Sequence, residues 1–152
     1  MGAEVKLQQL GIQLPRPGRP VGAYVPAVRT GNLVFTAGQL PIRDGKLAAT
    51  GKVPTDVSLD AARAAARIAA LNALAAVRGE IGSLDNVVRV VRLNVFVNSS
   101  ASFTGQAKVA NGASDLLVEI FSEAGNHTRC AIGAAELPLN APLELDLTVE
   151  TQ

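Results

Sequence analysis

The chain has 152 residues, a formal net charge of +1 and 48% hydrophobic residues, of which few are aromatic. This length fits one domain that buries its own core, and the near-neutral charge disfavours a face built for nucleic acid. The lone Cys130 excludes an internal disulfide and a cysteine zinc cage, no secretory signal is visible, and Arg63 and Arg67 interrupt the longest apolar stretch, so the composition predicts a cytoplasmic protein without a membrane span.

The first third of the chain predicts a short helix and then a hairpin. Residues 3–10 are a candidate helix that Gly11 ends, and a stiff, proline-rich lead-in follows. Two runs rich in Val, Tyr, Phe and Thr flank the turn signal Thr30-Gly31-Asn32. A second turn signal, Asp44-Gly45, precedes a candidate third strand over 46–49.

Two helices and three strands are predicted in the remainder. The first of these two helices begins at a cap, Asp56 or Ser58, and ends between residues 79 and 82. A second helix is expected to be weakened near Asn111-Gly112 by the low helix propensity of this pair. The strands are predicted over 87–98, 128–136 and 143–150.

This order predicts an α+β fold with two helices on one face of a mixed sheet. On the sheet face away from the helices we expect Val34, Val90, Phe96 and Arg129, with Cys130 as a thiol in the core. Such a mixed face suits either a subunit interface or a solvated surface, and the pattern leaves both readings open.

Arg129 opens a strand of small apolar residues and has no acidic neighbour in sequence. It is either one half of a surface ion pair or a clamp for a substrate carboxylate, with Glu144 as base or water-positioning group. If the last two strands form a hairpin, Arg129 and Glu144 lie roughly 20 Å apart at about 3.3 Å per residue. A site that uses both would then join different subunits.

Other chemistry is weakly indicated. The only histidine, His127, is predicted to be a loop or strand-edge residue, which argues against nucleophilic triads. Glu144, Asp146 and Glu150 are spread along one strand, so no metal site is predicted. Gly38 indicates either a structural bulge or a ligand near bare backbone.

Four segments together resemble the RidA/YjgF family, the reactive intermediate deaminases that are also described as endoribonuclease L-PSP-like. The resemblance starts near Val21, which leaves 1–20 as an N-terminal extension and 21–152 as the family domain of a longer, divergent branch. It implies a chorismate-mutase-like (ferredoxin-like) fold and a homotrimer with a central barrel, intersubunit sites and no cofactor. Its carriers are VGAYVPAVRTGNLVFTAGQLP, GKVPTDVSLDAARAA, VVRVVRLNVFV and TRCAIGAAELPLNAPLELDL.

The resemblance implies hydrolysis of enamine and imine intermediates, such as 2-aminoacrylate, to 2-keto acids and ammonia, as by a 2-iminobutanoate/2-iminopropanoate deaminase. Arg129 matches the arginine that binds the substrate carboxylate, and Glu144 matches the glutamate that positions water. Ala131 stands where many relatives carry cysteine, and Ala37 where they commonly carry serine. The family's substrate-binding positions correspond to Tyr24, Gly38 and Asn111, and also to Ala131 despite its different residue type.

Two other functions stay open from the sequence. A noncatalytic module could use the same arginine to bind a keto acid or another small carboxylate. A ribonuclease, as the family's older label suggests, is disfavoured because the chain has one histidine, few aromatic residues and a charge of +1. The expected partner is therefore a small molecule, with neither nucleic acid nor membrane.

Overall fold

The computed structural model describes residues 1–20 and 22–152, and Val21 lies outside them. The described residues form three α-helices and seven strands, in the order that the sequence predicts except for one additional short strand over Ile42–Arg43, which pairs with the predicted third strand. Helices and strands are α1 (Ala3–Gln9), β1 (Ala27–Thr30), β2 (Leu33–Thr36), β3 (Ile42–Arg43), β4 (Lys46–Leu47), α2 (Leu59–Ile81), β5 (Val87–Asn98), α3 (Gln106–Phe121), β6 (Thr128–Ala134) and β7 (Leu143–Thr151).

Five strands form one mixed sheet in the order β1-β2-β7-β5-β6, and β3 and β4 form a separate hairpin. Only β5 and β6 pair in parallel, because α3 connects them as a crossover helix. The predicted hairpin of the last two strands is wrong, since β5 lies between β6 and β7 and pairs with both. The segment between β6 and β7 instead crosses the end of β5, where the buried Asn98 side chain donates to the carbonyl of Ala141.

Helices α2 and α3 pack on one sheet face, as predicted. Ser58 caps α2 by accepting a hydrogen bond from the Ala61 amide, and Gly82 ends it with a positive φ of 84°. Helix α3 runs unbroken through Gly112, contrary to the weakening predicted there. A Cβ at Gly112 would overlap the backbone carbonyl of Arg63, so this glycine is what lets the two helices approach closely.

The buried face of the sheet differs from the predicted one at two valines. Val90 and Val34 were expected on the open face, and both are fully buried. The β5–β7 register shifts between Val90 and Arg92, so a bulge turns both Val90 and Leu93 towards the helices. Val34 pairs with the buried Val149 and follows its neighbour into the core.

The two faces of β6 are also the reverse of the prediction. Arg129 is level with Leu93 and Ala131 with Val95, and both of these β5 partners are fully buried on the helix side. Arg129 and Ala131 therefore face the helices. Cys130 is exposed on the open face and is not a core thiol. The predicted faces rest on side-chain bulk, which is misleading at this edge strand.

The N-terminal segment is part of the packed structure. Helix α1 ends before Gly11, as predicted, and buries Leu7 in the common core. The Glu4 carboxylate accepts from the Leu84 amide, while the Glu4 amide donates to Asp85. In the described part of the chain, no helix has both the length and the apolar character that a membrane crossing requires.

Candidate functional site

Arg129 is held by one of its two terminal nitrogens. Its Nη1 donates to Asn111 Oδ1 at 2.8 Å and to Ser114 Oγ at 3.1 Å, both on the facing turn of α3. Its Nε and Nη2 have no hydrogen-bond partner among the described residues, and no carboxylate of these residues lies within 4.0 Å of its guanidinium. The half-buried side chain therefore carries an uncompensated positive charge.

The unused nitrogens of Arg129 form one edge of the guanidinium. The N–H groups of Nε and Nη2 point the same way, which we call the Nε/Nη2 fork, and this spacing matches the two oxygens of a carboxylate. Because α3 already occupies Nη1, the fork is the edge left for a ligand. The arrangement suits a small planar anion.

A second polar contact continues from Ser114. Its Oγ lies 2.9 Å from His127 Nε2, and His127 Nδ1 lies 2.6 Å from the carbonyl oxygen of Gly125. Since a carbonyl only accepts, Nδ1 carries the proton, and in the neutral ring Nε2 accepts from the Ser114 hydroxyl. His127 directly precedes β6, as predicted, but its contact with Ser114 was not foreseen. Its parity with Arg129 and the three-residue spacing of Asn111 and Ser114 are the signals that could have revealed it.

Glu144 lies on the open sheet face, level with Phe96 and Ile132 on the neighbouring strands. Burial raises the pKa of its carboxyl above the ordinary value, and the nearby charge of Asp146 raises it further. Gly38 lies against this carboxylate, and a Cβ at position 38 would overlap it. Glu144 and Gly38 are thus brought together within one chain.

The structure does not bring Arg129 and Glu144 together within one chain. They lie on opposite faces, three residue levels and two strands apart, which corresponds to roughly 10 Å in each direction. Tyr24 is exposed in the segment before β1, at the other edge of the sheet. Asn111 and Ala131 join Arg129 at the β6 edge, so the predicted site residues fall into separate groups.

Two cavities lie away from Arg129 and from the Glu144–Gly38 pair. One of about 540 Å³ lies between β1 and the end of α2 and is lined by Val28 and Glu80, among others. The other, of about 290 Å³, lies between α2 and the β3–β4 hairpin. In the described residues, no three His, Cys, Asp or Glu side chains cluster in a way that could hold a metal ion.

Comparisons with known proteins point to one family. The model of the family described as "YjgF/chorismate_mutase-like, putative endoribonuclease" matches residues 4–150. Protein TCP17 of Trypanosoma cruzi is 47% identical over 145 residues, covering 95% of this chain and 91% of its own. A 2-iminobutanoate/2-iminopropanoate deaminase of Dermatophagoides farinae is 29% identical, covering 91% and 93%.

Two solved structures extend the comparison. Atu1372 of Agrobacterium tumefaciens, described as having unknown function, is 42% identical with a TM-score of 0.91 and covers 99% of this chain and 93% of its own. TdcF of Escherichia coli, solved with bound serine, is 25% identical with a TM-score of 0.65 and covers 92% and 96%. The likeness is therefore much stronger to Atu1372 than to TdcF, which places this chain on a divergent branch.

Proposed function

The chain belongs to the YjgF/chorismate mutase-like family, and from this premise we propose that it hydrolyses enamine and imine intermediates of the 2-aminoacrylate type. The products are a 2-keto acid and ammonia. The observation that carries the proposal is the Nε/Nη2 fork of Arg129, which has no partner among the described residues and suits the substrate's carboxylate. The related mite deaminase supports the same chemistry.

The proposed reaction needs few protein groups. Arg129 fixes the carboxylate, which places the adjacent imine carbon for attack. Ionised Glu144 accepts a proton from water as the water oxygen bonds to that carbon and the C=N double bond becomes single. The same proton then moves to the nitrogen and leaves a carbinolamine. Glu144 carries the hydroxyl proton of the carbinolamine to the nitrogen in the same way, the C=O bond forms as the C–N bond breaks, and ammonia and the keto acid leave. Because the pKa of Glu144 is raised, its carboxylate is a stronger base than an ordinary glutamate, which suits this role.

We propose that the complete site forms between copies of the chain in a homotrimer. Strands β6 and β1 are the two edges of the sheet, and each has an unpaired side in the single chain. A neighbour whose β1 edge approaches β6 would bring its Tyr24, Gly38 and Glu144 towards Arg129. The open face also exposes Phe35 and Ile132, which are 42% and 51% exposed in the single chain and suit burial in a trimer.

The alternative is a noncatalytic module that uses the same fork to hold a keto acid. The departure at Ala131 favours it, because this half-buried methyl stands where the family resemblance leads one to expect a thiol. TdcF with bound serine shows that a relative holds a small amino acid. Binding without turnover would identify this function.

A coupled assay separates the two functions. An amino-acid oxidase generates imines in situ, semicarbazide reports the imine that remains, and Arg129→Ala is compared with wild type. Loss of a charge-assisted, bidentate contact should lower the hydrolysis rate by about 100-fold or more. Arg63→Ala, at an exposed arginine of α2 paired with Asp115, is the matched control and should keep the wild-type rate. Equal rates for Arg129→Ala and wild type would contradict the deaminase proposal.

A further inference from the structure

We infer that Ser114 and His127 are positioning residues that hold the Arg129 guanidinium with its Nε/Nη2 fork free. The inference rests on the proposed function, because that function supplies the carboxylate that the fork would bind. The observation behind it is a continuous series of hydrogen bonds from Arg129 through Ser114 and His127 to the carbonyl of Gly125. Neither Ser114 nor His127 is part of the chemistry assigned above.

The directions of the bonds in the series follow for a neutral His127 ring. The Gly125 carbonyl can only accept, so His127 Nδ1 donates and the neutral ring leaves Nε2 as an acceptor. The Ser114 hydroxyl therefore gives its proton to His127 and accepts from Arg129 Nη1. Without His127, the hydroxyl would be free to rotate and to donate elsewhere.

Gly125, at the end of the hydrogen-bonded series, packs on helix α3, which also carries Ser114 in the middle of the series. Gly125 packs against the backbone of Leu117 on α3, where a Cβ at position 125 would overlap the Leu117 carbonyl. Asn111 and Ser114 lie on the same helix. Helix α3 thus sets the position of every acceptor that Arg129 Nη1 uses.

This arrangement has a consequence for the direction of the fork. Arg129 lies on an edge strand, where a long side chain has several rotamers to choose from. Both protons of Nη1 are used by α3, so rotating the guanidinium would break two hydrogen bonds. The series therefore preorganises the fork for a carboxylate, and the Arg129 side chain loses less conformational entropy when the ligand binds.

The test measures binding of 2-oxobutanoate by calorimetry, alongside kcat and KM for the imine. Ser114→Ala removes the bonds to Arg129 and His127, and His127→Phe removes those to Ser114 and Gly125. Both should weaken 2-oxobutanoate binding and raise KM by about 10-fold, with kcat changed far less. Ser114→Thr keeps the hydroxyl, and His127→Gln keeps an acceptor near the Nε2 position. Both conservative variants should stay within about 3-fold of wild type. Lys108→Ala, exposed on the same helix, is the matched control for changes in α3.

A ligand-independent measurement keeps the inference separate from the proposed function. In ¹⁵N NMR spectra, wild type should show the Nδ1–H tautomer of His127 and slow rotation of the Arg129 Nη groups, and Ser114→Ala should speed that rotation. If wild type neither binds nor converts a keto-acid or imine ligand, the proposed function fails, and the NMR result still decides the positioning role. Unchanged rotation of the Arg129 Nη groups in Ser114→Ala would overturn the inference. If wild type binds 2-oxobutanoate, equally tight binding by Ser114→Ala would overturn it too.

Discussion

Arg129 and Glu144 carry their charges in opposite circumstances. Arg129 has polar neighbours, and no carboxylate of the described residues lies within 4.0 Å of its guanidinium. Glu144 is partly removed from water and has the Asp146 carboxylate near it, and both raise its pKa. These circumstances suit the roles that we propose, which are carboxylate binding by Arg129 and proton exchange by Glu144.

The pH dependence of hydrolysis should report Glu144. In the proposed reaction the ionised form of Glu144 accepts the water proton, so kcat/KM should fall as pH falls through its raised pKa. The acidic limb should therefore lie at higher pH than for an ordinary glutamate. Asp146→Asn removes the neighbouring charge, lowers the pKa of Glu144 and should move the limb to lower pH. Glu150→Gln, further along the same strand, should leave the limb in place, and an unmoved limb in Asp146→Asn would contradict this assignment.

The sequence could predict which residues are chemically available but not which surface they occupy. Arg129 and Glu144 were selected because their residue types and spacing match the family's ending. The face of Arg129 was wrong because parity within a strand shows which residues share a face, while the choice of face depends on packing by β5 and α3. The Ser114–His127 contact depends on that same packing.

Strand β5 organises the sheet because it pairs along both of its edges. The helix–strand order of the sequence was sufficient to predict the α+β class and the positions of α2 and α3. The pairing of β7 with β5 could not be predicted, because a short connection between two strands usually favours a hairpin. The bulge near Val90 was equally invisible, because one extra residue shifts the parity without leaving a composition signal.

The close contact between α2 and α3 depends on Gly112, which has no side chain. Gly112→Ala places a methyl group against the Arg63 carbonyl and should lower the free energy of unfolding by about 1–3 kcal/mol, despite the better helix propensity of alanine. Gly79→Ala in α2 is the matched control, since its Cβ meets only the Pro17 ring at 3.3 Å. The control should change stability by less than about 1 kcal/mol in urea denaturation. A Gly112→Ala variant as stable as wild type would contradict the close-packing account.

A single copy of the chain leaves the proposed site divided and part of its apolar surface open to solvent. The two halves of the proposed site face different ways, and apolar side chains remain on the open sheet face. A homotrimer would resolve both features with one contact, because a closed cyclic assembly presents each edge to its neighbour.

The assembly should be sensitive to charge on the open face. Ile132→Glu places a carboxylate where we propose that the copies pack, and it should shift the sedimentation of the protein from trimer to monomer. Val118→Glu introduces the same charge at a 40% exposed position on α3 and should stay trimeric. A trimeric Ile132→Glu variant would show that this face is not the interface.

In the proposed trimer, one working site uses Arg129 of one copy and Glu144 of another. The most direct test mixes Arg129→Ala and Glu144→Ala, each inactive alone, under conditions that exchange subunits, and measures imine hydrolysis. Random mixing of equal amounts restores an intact pair at about one site in four, so activity should return to roughly a quarter of wild type. If the subunits exchange and no activity returns, the two residues do not form a site across the interface, and the account is wrong.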